Sequence, residues 1–450
     1  MLTALGVPET AISFNSCTLE SDGYVCVRET SDTGNQVAII ELKNNNEVTR
    51  RAMTADSAII SPVSSSTSGK VLALRAQGRT VQVVNLDTKQ RIKHTVMTED
   101  IVFWRWLTPN ILGLVTDRSI FTWDVTDESA VAPQVLTMRH ASLAGCQIIN
   151  LQQNEKGSWY LVNGISQGEG GAIVGHIQLF SRERGVSQAI EGHAGSFGTL
   201  GEYSLFSFVN RSPTGGAKMH IVEIDHVEGQ PTFAKKQVDV FFPAEAGADF
   251  PVAHVISKVY GIIYVVTKLG FIHLYDADSG SVIFMNRISA DPVFAACDFA
   301  EKGIMVINRK GQVLSVELNE SVAVNYALTQ LNNAGLALAL ASRAGLPGAE
   351  NLYAKQFEQL LAEGKYNEAA KVAASSPNGL LRTPATIQRL KSIQSPPGEI
   401  SPVLTYFSSL LDHGTLNEVE SIDLATPVLQ QGRKQLLEKW IRENKLTPSE

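Results

Sequence analysis

The sequence predicts an all-β seven-bladed β-propeller followed by an all-α solenoid of helical-hairpin repeats. Three observations support this prediction: a short alternating strand that occurs seven times, a change to helical periodicity near residue 320, and a helical-hairpin motif that occurs twice after that change. The composition is that of an ordinary globular protein with a large core, because 44% of the residues are hydrophobic and 18% are charged.

The repeated strand follows a turn and alternates between apolar and polar residues. Its copies lie at 35–42 (NQVAIIEL), 78–87 (GRTVQVVNLD), 117–125 (DRSIFTWDV), 174–181 (VGHIQLFS), 217–225 (AKMHIVEID), 270–276 (GFIHLYD) and 311–318 (GQVLSVEL). Successive copies begin roughly 40–57 residues apart, which is close to the period of a propeller blade. A second apolar strand precedes most copies, for example at 71–74, 111–116, 262–267 and 304–307. These pairs predict hairpins, and the segment from about 12 to 320 predicts seven four-stranded blades.

The helical part carries its own repeat, since LLAEGKYNE at 360–368 recurs as LLDHGTLNE at 410–418. In both copies we expect the glycine to follow a helix end and the asparagine to cap the next helix. A recurring helical hairpin is typical of an α-solenoid.

We expect three segments: the propeller at 1–320, a helical linker with the first hairpins at 321–393, and the start of a solenoid leg at 394–450. Residues 394–402, rich in Pro, Ser and Gly, are expected to form an inter-hairpin loop. The last helix, at 433–445, has no visible partner, and solenoids end on capping repeats. We therefore expect the chain to be the start of a longer protein.

Charge, cysteines and hydropathy exclude several classes of protein. A net charge of −7 argues against general nucleic-acid binding, which needs a basic surface. The four cysteines (Cys17, Cys26, Cys146 and Cys297) form no C-x-x-C pair, so we expect buried, reduced thiols and no disulfide framework, metal site or cofactor. No signal peptide or membrane-length apolar run is visible, which predicts a soluble cytoplasmic protein whose membrane contact is indirect.

No motif predicts an enzyme. The stretch 192–196 (GHAGS) brings a histidine close to a serine in sequence, but no acid that could orient the histidine is evident, and we interpret it as a blade-to-blade turn. The glycine-rich stretch 168–172 is followed by a strand rather than the helix that a phosphate site needs. A propeller hydrolase, the alternative from another class, would need acids or a metal at the central opening.

The strand at 80–87 indicates a binding groove instead. Thr80, Gln82 and Val84 share one side of this strand by its period of two. Basic residues and one leucine come from its flanks and neighbours: Lys89 and Arg91, Arg50, Arg51 and Arg75, and Leu72. An apolar floor with a basic rim suits a short acidic–hydrophobic peptide in extended conformation. Ordinary blade packing with solvated charges is the alternative interpretation.

Several long, non-repetitive strings identify a family. The most specific strings are 54–60 (TADSAII), 80–89 (TVQVVNLDTK), 142–149 (SLAGCQII), 237–243 (QVDVFFP), 308–315 (NRKGQVLS) and 427–435 (PVLQQGRKQ). With these strings the sequence resembles the clathrin heavy chain family, in its N-terminal β-propeller and the first repeats of its α-helical leg. A different propeller–solenoid coat or scaffold protein is the runner-up, and it would share the architecture without these strings.

The resemblance implies a structural coat protein of vesicles that acts in budding and endocytosis. In the family, the propeller binds short motifs of adaptor and accessory proteins, and the legs build a lattice. Trimerisation and light-chain binding belong to regions beyond this segment. The family also has a longer N-terminal segment that helps complete the last blade, so we expect ring closure here to be weaker or made differently.

The resemblance also implies three peptide sites. Clathrin-box peptides (Leu-apolar-x-apolar-acidic) lie between blades 1 and 2, at positions that match Arg51, Leu72, Thr80, Gln82, Val84, Lys89 and Arg91. A site at the centre of the top face matches Phe14, Gln147, Ile149 and Ile165, and a groove between blades 4 and 5 matches Leu179, Arg184, Gln188 and Ile190. The family often has an aromatic residue at the position of Val84 and a lysine at that of Arg91, which implies an altered peptide preference here. Propeller packing would use Ile149, Ile165 and Leu179 equally well.

Overall fold

In a computed structural model, the chain is described at residues 1–31, 34–62, 69–212, 215–376, 379–394, 400–430 and 432–447. It forms two compact units, Met1–Leu318 and Asn319–Glu450. The first unit consists of β-sheets and the second of α-helices.

The first unit is a ring of seven antiparallel sheets, each built from consecutive strands. Blades 1 to 3 consist of β1 Cys17–Ser21, β2 Tyr24–Ser31, β3 Gly34–Glu41 and β4 Glu47–Ala52; β5 Ser57–Ile60, β6 Val71–Ala76, β7 Thr80–Asn85 and β8 Gln90–Val96; and β9 Phe103–Trp106, β10 Ile111–Val115, β11 Ser119–Asp124 and β12 Gln134–Met138. Blades 4 and 5 consist of β13 Gln147–Gln153, β14 Trp159–Gln167, β15 Ile173–Ser181 and β16 Val186–Glu191; and β17 Ala194–Leu200, β18 Tyr203–Arg211, β19 Ala217–Ile224 and β20 Lys236–Asp239. Blades 6 and 7 consist of β21 Pro251–Ile256, β22 Ile262–Thr267, β23 Phe271–Asp276 and β24 Val282–Arg287; and β25 Val293–Phe299, β26 Gly303–Asn308 and β27 Val313–Val316.

The seven-bladed propeller predicted from the repeated strand is confirmed, and the repeated strand is the third strand of every blade. In blades 1 to 6 the third strand is easy to recognise because it lies between two partner strands and packs against neighbouring blades on both faces. The apolar strand that precedes most copies is the second strand of the same blade, such as β6 or β22.

The last blade differs from the expectation of four strands, because within the described residues it has three. The first residues of the chain form two short 3-10 turns, Thr3–Leu5 and Glu9–Ala11, instead of a strand. The backbone N–H of Leu2 donates to the carbonyl oxygen of Gly311 at 2.7 Å. The side chains of Leu2 and Ile12 join the hydrophobic cluster of blades 7 and 1. Apolar packing therefore replaces most of the backbone pairing that a fourth strand would supply.

The hydrophobic core lies between the blades. One cluster joins Val37 and Ile39 of blade 1 to Leu72 of blade 2, and another joins Leu179 of blade 4 to Phe206 of blade 5. Alternation along each strand turns successive side chains toward the preceding and the following blade. Each blade therefore has two apolar faces, and a groove between two blades opens only where these faces do not fill it.

The second unit contains eight α-helices within the described residues. They are α1 Ala323–Thr329, α2 Ala334–Ala344, α3 Glu350–Ala362, α4 Tyr366–Ala374, α5 Pro384–Ser392, α6 Pro402–His413, α7 Glu418–Gln430 and α8 Lys434–Arg442. The helical region predicted after residue 320 is confirmed. The predicted inter-hairpin loop falls mainly on residues 395–399, which lie outside the described residues. No described helix is both long enough and apolar enough to span a membrane.

Each copy of the hairpin motif agrees with the prediction at one of its two residues and differs from it at the other. Gly364 has the expected left-handed conformation, with φ 72°, but Gly414 is extended, with φ −176°. Asn417 caps α7, since its Oδ1 accepts the N–H of Glu420 at 2.9 Å. Asn367 instead lies inside α4, where its Oδ1 accepts a hydrogen bond from Thr405 at 2.9 Å. Equal spacing in sequence does not give equal caps, because the tertiary partner of each asparagine differs.

All four cysteines are free, and three of them are buried as expected. Cys146 is the exception, because it is only half-buried in the turn before β13.

Candidate functional site

The first candidate site is the groove between blades 1 and 2, hereafter the blade 1–2 groove. One wall is a face of blade 2 on which strand pairing forms three cross-strand rows: Leu72–Val84–Arg91, Leu74–Gln82–His94 and Ala76–Thr80–Val96. Thr80, Gln82 and Val84 are half-buried, whereas Leu72 is completely buried. Thr80, Gln82, Val84 and Arg91 therefore share one wall, and Leu72 forms the floor beneath it.

The opposite wall belongs to blade 1, whose Val37 and Ile39 pack in one cluster with Leu72. Arg51 is the cross-strand neighbour of Val37. Its Nη2 donates to the carbonyl oxygen of Leu86, just after β7, at 3.5 Å. The guanidinium therefore reaches from blade 1 to blade 2 at one end of the groove.

Lys89 and Arg91 give this end of the groove a basic rim. The Oδ1 of Asn85 accepts two backbone N–H groups of the β7–β8 turn, at 2.9 and 3.0 Å. Lys89 lies in this turn with φ 59°, and Arg91 lies at the start of β8. Both side chains are exposed, so with Arg51 they place three positive charges around the end of β7.

Arg50 and Arg75, which the sequence analysis also assigned to this rim, point elsewhere. The Nε of Arg50 lies 3.0 Å from a carboxylate oxygen of Glu29. Arg75 donates to the carbonyl oxygen of Ile101 at 2.7 Å, and burial lowers the pKa of its guanidinium. Arg50 is adjacent in its strand to Arg51, and Arg75 to Leu74. Because successive side chains of a strand point to opposite faces, Arg50 and Arg75 point away from the groove.

Sequence reasoning missed three side chains on the same wall: Leu74, His94 and Val96. They are the cross-strand neighbours of Gln82 and Thr80. Val96 is 62% exposed and adds apolar surface to this wall. The sequence shows the alternation within each strand, but it does not show which residues of neighbouring strands lie opposite one another.

The second candidate site is a cavity of about 920 Å³ at the centre of the ring. All four residues predicted for the central site line it: Phe14, Gln147, Ile149 and Ile165. Gln147 and Ile165 are cross-strand neighbours, and the ring of Phe14 stacks on Phe103 with 6.4 Å between centroids. Phe103 also lines the cavity and was not predicted, because nothing in its local sequence distinguishes it from a core aromatic residue.

The central cavity also contains a serine–histidine contact. His254 Nδ1 lies 2.7 Å from Ser196 Oγ, and His254 Nε2 lies 3.1 Å from Ser207 Oγ. Burial lowers the pKa of His254 to about 3, which makes it a very weak base at neutral pH. His193, the histidine of the sequence motif, instead contacts the carbonyl oxygen of Ile173 at 2.9 Å. Neither histidine therefore has the partners of a catalytic triad.

The third candidate site is the groove between blades 4 and 5, hereafter the blade 4–5 groove. On blade 4, Leu179 neighbours Gln188 and Ile177 neighbours Ile190 across β15 and β16. Leu179 is almost fully buried, and Ile190 is half-buried against the same cluster. These side chains share the face that packs against blade 5.

Arg184 lies exposed in the turn before β16, at the end of this face. Val186, which is 59% exposed, continues the row of Gln188 and Ile190 and was not predicted.

Comparisons with known proteins agree with the propeller and the helices. The family model "Clathrin propeller repeat" matches residues 8–43, "Clathrin, heavy-chain linker" matches 324–343, and "Clathrin-H-link" matches 345–410. The chain is 46% identical to a probable clathrin heavy chain of Schizosaccharomyces pombe, 48% identical to the clathrin heavy chain of Drosophila melanogaster and 46% identical to clathrin heavy chain 2 of Homo sapiens. Each alignment covers 100% of this chain and 27% of the relative. The chain thus spans about a quarter of the length of these relatives.

Proposed function

The chain belongs to the clathrin heavy chain family along all 450 of its residues, and from this premise we propose that it is a structural protein of clathrin-coated vesicles. Its propeller binds short linear motifs of adaptor and accessory proteins during vesicle budding and endocytosis, and its helical unit is part of the leg that builds the lattice. It acts at the cytoplasmic face of coated pits and vesicles, and it contacts the membrane through adaptors.

The geometry of the blade 1–2 groove carries the peptide-binding part of this proposal. Half-buried Thr80, Gln82 and Val84 line a wall whose basic end holds Arg51 and exposed charges of the β7–β8 turn. An extended peptide would place apolar side chains against Val84 and its acidic end against the basic rim, while the amide of Gln82 would hydrogen-bond the peptide backbone. This arrangement fits the motif Leu-apolar-x-apolar-acidic.

The central cavity and the blade 4–5 groove supply two further sites in this proposal. The lining of the central cavity suits a large apolar or aromatic side chain, because Phe14, Phe103 and Ile165 surround one part of it. Each site alone would bind modestly, and a lattice would multiply the affinity through a high effective concentration. We propose no catalytic role, since the contacts of His254 supply no effective base.

Titration of a Leu-apolar-x-apolar-acidic peptide into the chain tests the groove assignment. Binding should weaken when Gln82→Ala is combined with Lys89→Glu, and it should weaken much less when Gln188→Ala is combined with Arg184→Glu. The second double variant makes the same kinds of change in the blade 4–5 groove and serves as the matched control. Equal affinity of the first double variant and the unmodified chain would sink the assignment to the blade 1–2 groove.

A further inference from the structure

The blade 4–5 groove has a second wall, on blade 5, that carries a histidine between two lysines. Antiparallel pairing gives this wall two outer rows: Phe208–His220–Gln237 and Asn210–Lys218–Asp239. The same alternation places Lys235, which precedes β20, on the side of Gln237 and Asp239. His220 is half-buried, whereas Lys218 and Lys235 are exposed.

The ring of His220 is held in a fixed position by aromatic stacking. Phe208 and His220 stack with 4.8 Å between ring centroids and 16° between planes. Phe206 also stacks on Phe208, with 5.3 Å between ring centroids. Phe206 is buried in the cluster that joins blades 4 and 5, so the stack leads from the core outward and ends on the imidazole.

Two contacts fix the register between the walls. At one end, the indole N–H of Trp159 in blade 4 donates to Asp225 of blade 5 at 2.5 Å. Further along, side-chain atoms of Ile177 and Phe208 lie 2.6 and 3.1 Å from the position that a Cβ of Gly192 would occupy. Since Ile177 neighbours Ile190, the row of Ile190 faces the row that contains His220.

The charges around His220 make this end of the groove electropositive. Lys218 and Lys235 both act on the imidazole, whereas Arg184 lies at the other end of the groove, in the turn beside the Trp159–Asp225 contact. The acidic group on this wall, Asp239, is paired with Lys218 at 3.0 Å. The apolar side chains of the groove, among them Leu179 and Ile190, thus end at the imidazole of His220, which Lys218 and Lys235 flank.

We propose that the ligand of the blade 4–5 groove is an extended apolar peptide that also carries a carboxylate, and that His220 and its flanking lysines bind this carboxylate. The proposal rests on the proposed peptide-binding function of the same groove and specifies its ligand. The apolar residues of the peptide would lie against Leu179 and Ile190, and the acidic residue would lie at the His220 end.

Binding of this kind would take up a proton. Burial, together with Lys235 and Lys218, lowers the pKa of His220 in the free protein, so the ring is neutral at pH 7.5. A carboxylate beside the ring favours the imidazolium. The affinity for an acidic peptide should therefore increase as the pH falls toward 6, while the affinity for a neutral peptide should not.

The test compares peptides that have two adjacent leucines followed, one to three residues later, by either Asp or Asn. Affinities are measured by fluorescence anisotropy at pH 7.5 and pH 6.0. We expect at least one Asp peptide to bind about 3-fold more tightly than its Asn counterpart at pH 7.5 and about 10-fold more tightly at pH 6.0. Equal affinities of every Asp–Asn pair at both pH values would overturn the proposal and leave the groove assignment intact.

Variants separate the contribution of His220 from that of the groove. His220→Gln should abolish the pH dependence, and Lys218→Gln with Lys235→Gln should reduce the preference for Asp without disturbing the ring stack. Lys439→Gln in α8, an exposed lysine in the helical unit, serves as the control and should change neither. If no peptide binds, or if Ile190→Asp leaves binding unchanged, the groove assignment and this proposal both fail.

Discussion

His254 Nδ1 lies 2.7 Å from Ser196 Oγ, and this fully buried contact joins blade 6 to blade 5. The other ring nitrogen lies 3.1 Å from Ser207 of the same neighbouring blade. Two hydroxyl groups thus satisfy a neutral imidazole, and no partner stabilises its protonated form. The contact between His254 and Ser196 joins two blades, and it lowers the free energy of unfolding when the solution becomes acidic.

We therefore expect His254 to lower the stability of the propeller below about pH 6.5. The pKa of His254 is about 3 in the folded protein, against 6.5 for an ordinary histidine, so between these values the unfolded chain binds a proton that the folded chain does not. The free energy of unfolding should fall by up to about 1.4 kcal/mol for each pH unit in that range. Urea unfolding at several pH values, followed by tryptophan fluorescence, measures this slope.

His254→Asn removes the titrating group, so the slope should become shallower in this variant. Part of the slope will remain, because burial also lowers the pKa of His273 to about 4. An unchanged slope would show that His254 does not titrate as described.

The second prediction concerns a buried ion pair in the helical unit. Arg382 donates to Glu420 through Nε at 2.9 Å and through Nη2 at 2.5 Å, and the hydroxyl of Tyr406 donates to the same carboxylate at 2.6 Å. Arg382→Met should destabilise this unit by about 3–5 kcal/mol, because it leaves a buried carboxylate without its cation. Circular dichroism at 222 nm during thermal unfolding reports the loss.

Arg389→Met is the matched control, because Arg389 makes a similar pair with Glu358 on the surface. It should cost about 0–1 kcal/mol. Equal losses in the two variants would contradict the distinction between the buried and the exposed pair.

The third prediction separates two contributions to the blade 1–2 groove. Gln82→Ala with Lys89→Glu should weaken a Leu-apolar-x-apolar-acidic peptide by about 1–3 kcal/mol. The part that comes from Lys89 should diminish in 0.5 M salt, because exposed charges are screened over a few ångströms. The part that comes from Gln82 should persist. Calorimetric titrations of the single variants at two salt concentrations measure both parts, and a salt-independent loss for Lys89→Glu would contradict its electrostatic role.

The fourth prediction concerns Val84, which is half-buried beside Leu72 in the cross-strand row of Arg91. Val84→Phe enlarges the apolar surface on which a peptide side chain would lie. The affinity for the same peptide should increase by about 0.5–1.5 kcal/mol. Val84→Thr, of similar size but more polar, should instead weaken binding. If both variants bind with unchanged affinity, Val84 does not contact the peptide.

The fifth prediction concerns Gly175 in β15. A Cβ at this position would overlap both the carbonyl oxygen of Gly192 and the Cα of His193. Because these are backbone atoms, Gly175→Ala should destabilise the propeller by about 1–3 kcal/mol. Gly216→Ala is the control, since its Cβ would meet no atom within 4 Å. Urea unfolding of both variants measures the two losses of stability. Equal losses would show that blade 4 can shift away from the backbone of Gly192 and His193.

The sequence predicted the third strand of every blade, but it did not predict that the described part of blade 7 has three strands instead of four. In blades 1 to 6 the third strand lies between two partner strands, and it packs against neighbouring blades on both faces. The three-stranded sheet of blade 7 depends on how residues 2–12 pack on Gly311, more than 300 positions away, and local pattern contains no such information.

The same limit explains the outcome at the candidate sites. Thr80, Gln82 and Val84 could be assigned to one side because they belong to one strand. Arg50 and Arg75 could not be assigned correctly, because their strands alternate in phases that only the pairing register reveals.

The sequence by itself determined the seven-fold strand repeat, the change to helices and the resemblance to a family, because these depend on local periodicity and on strings of residues. The tertiary structure alone decided which side chains meet across a groove. It turned Arg51 toward Leu86 and Arg50 toward Glu29, and it set the row of His220 opposite that of Ile190. The physical reason is that a groove consists of two blades, and their relative register is set by packing between residues that are distant in the chain.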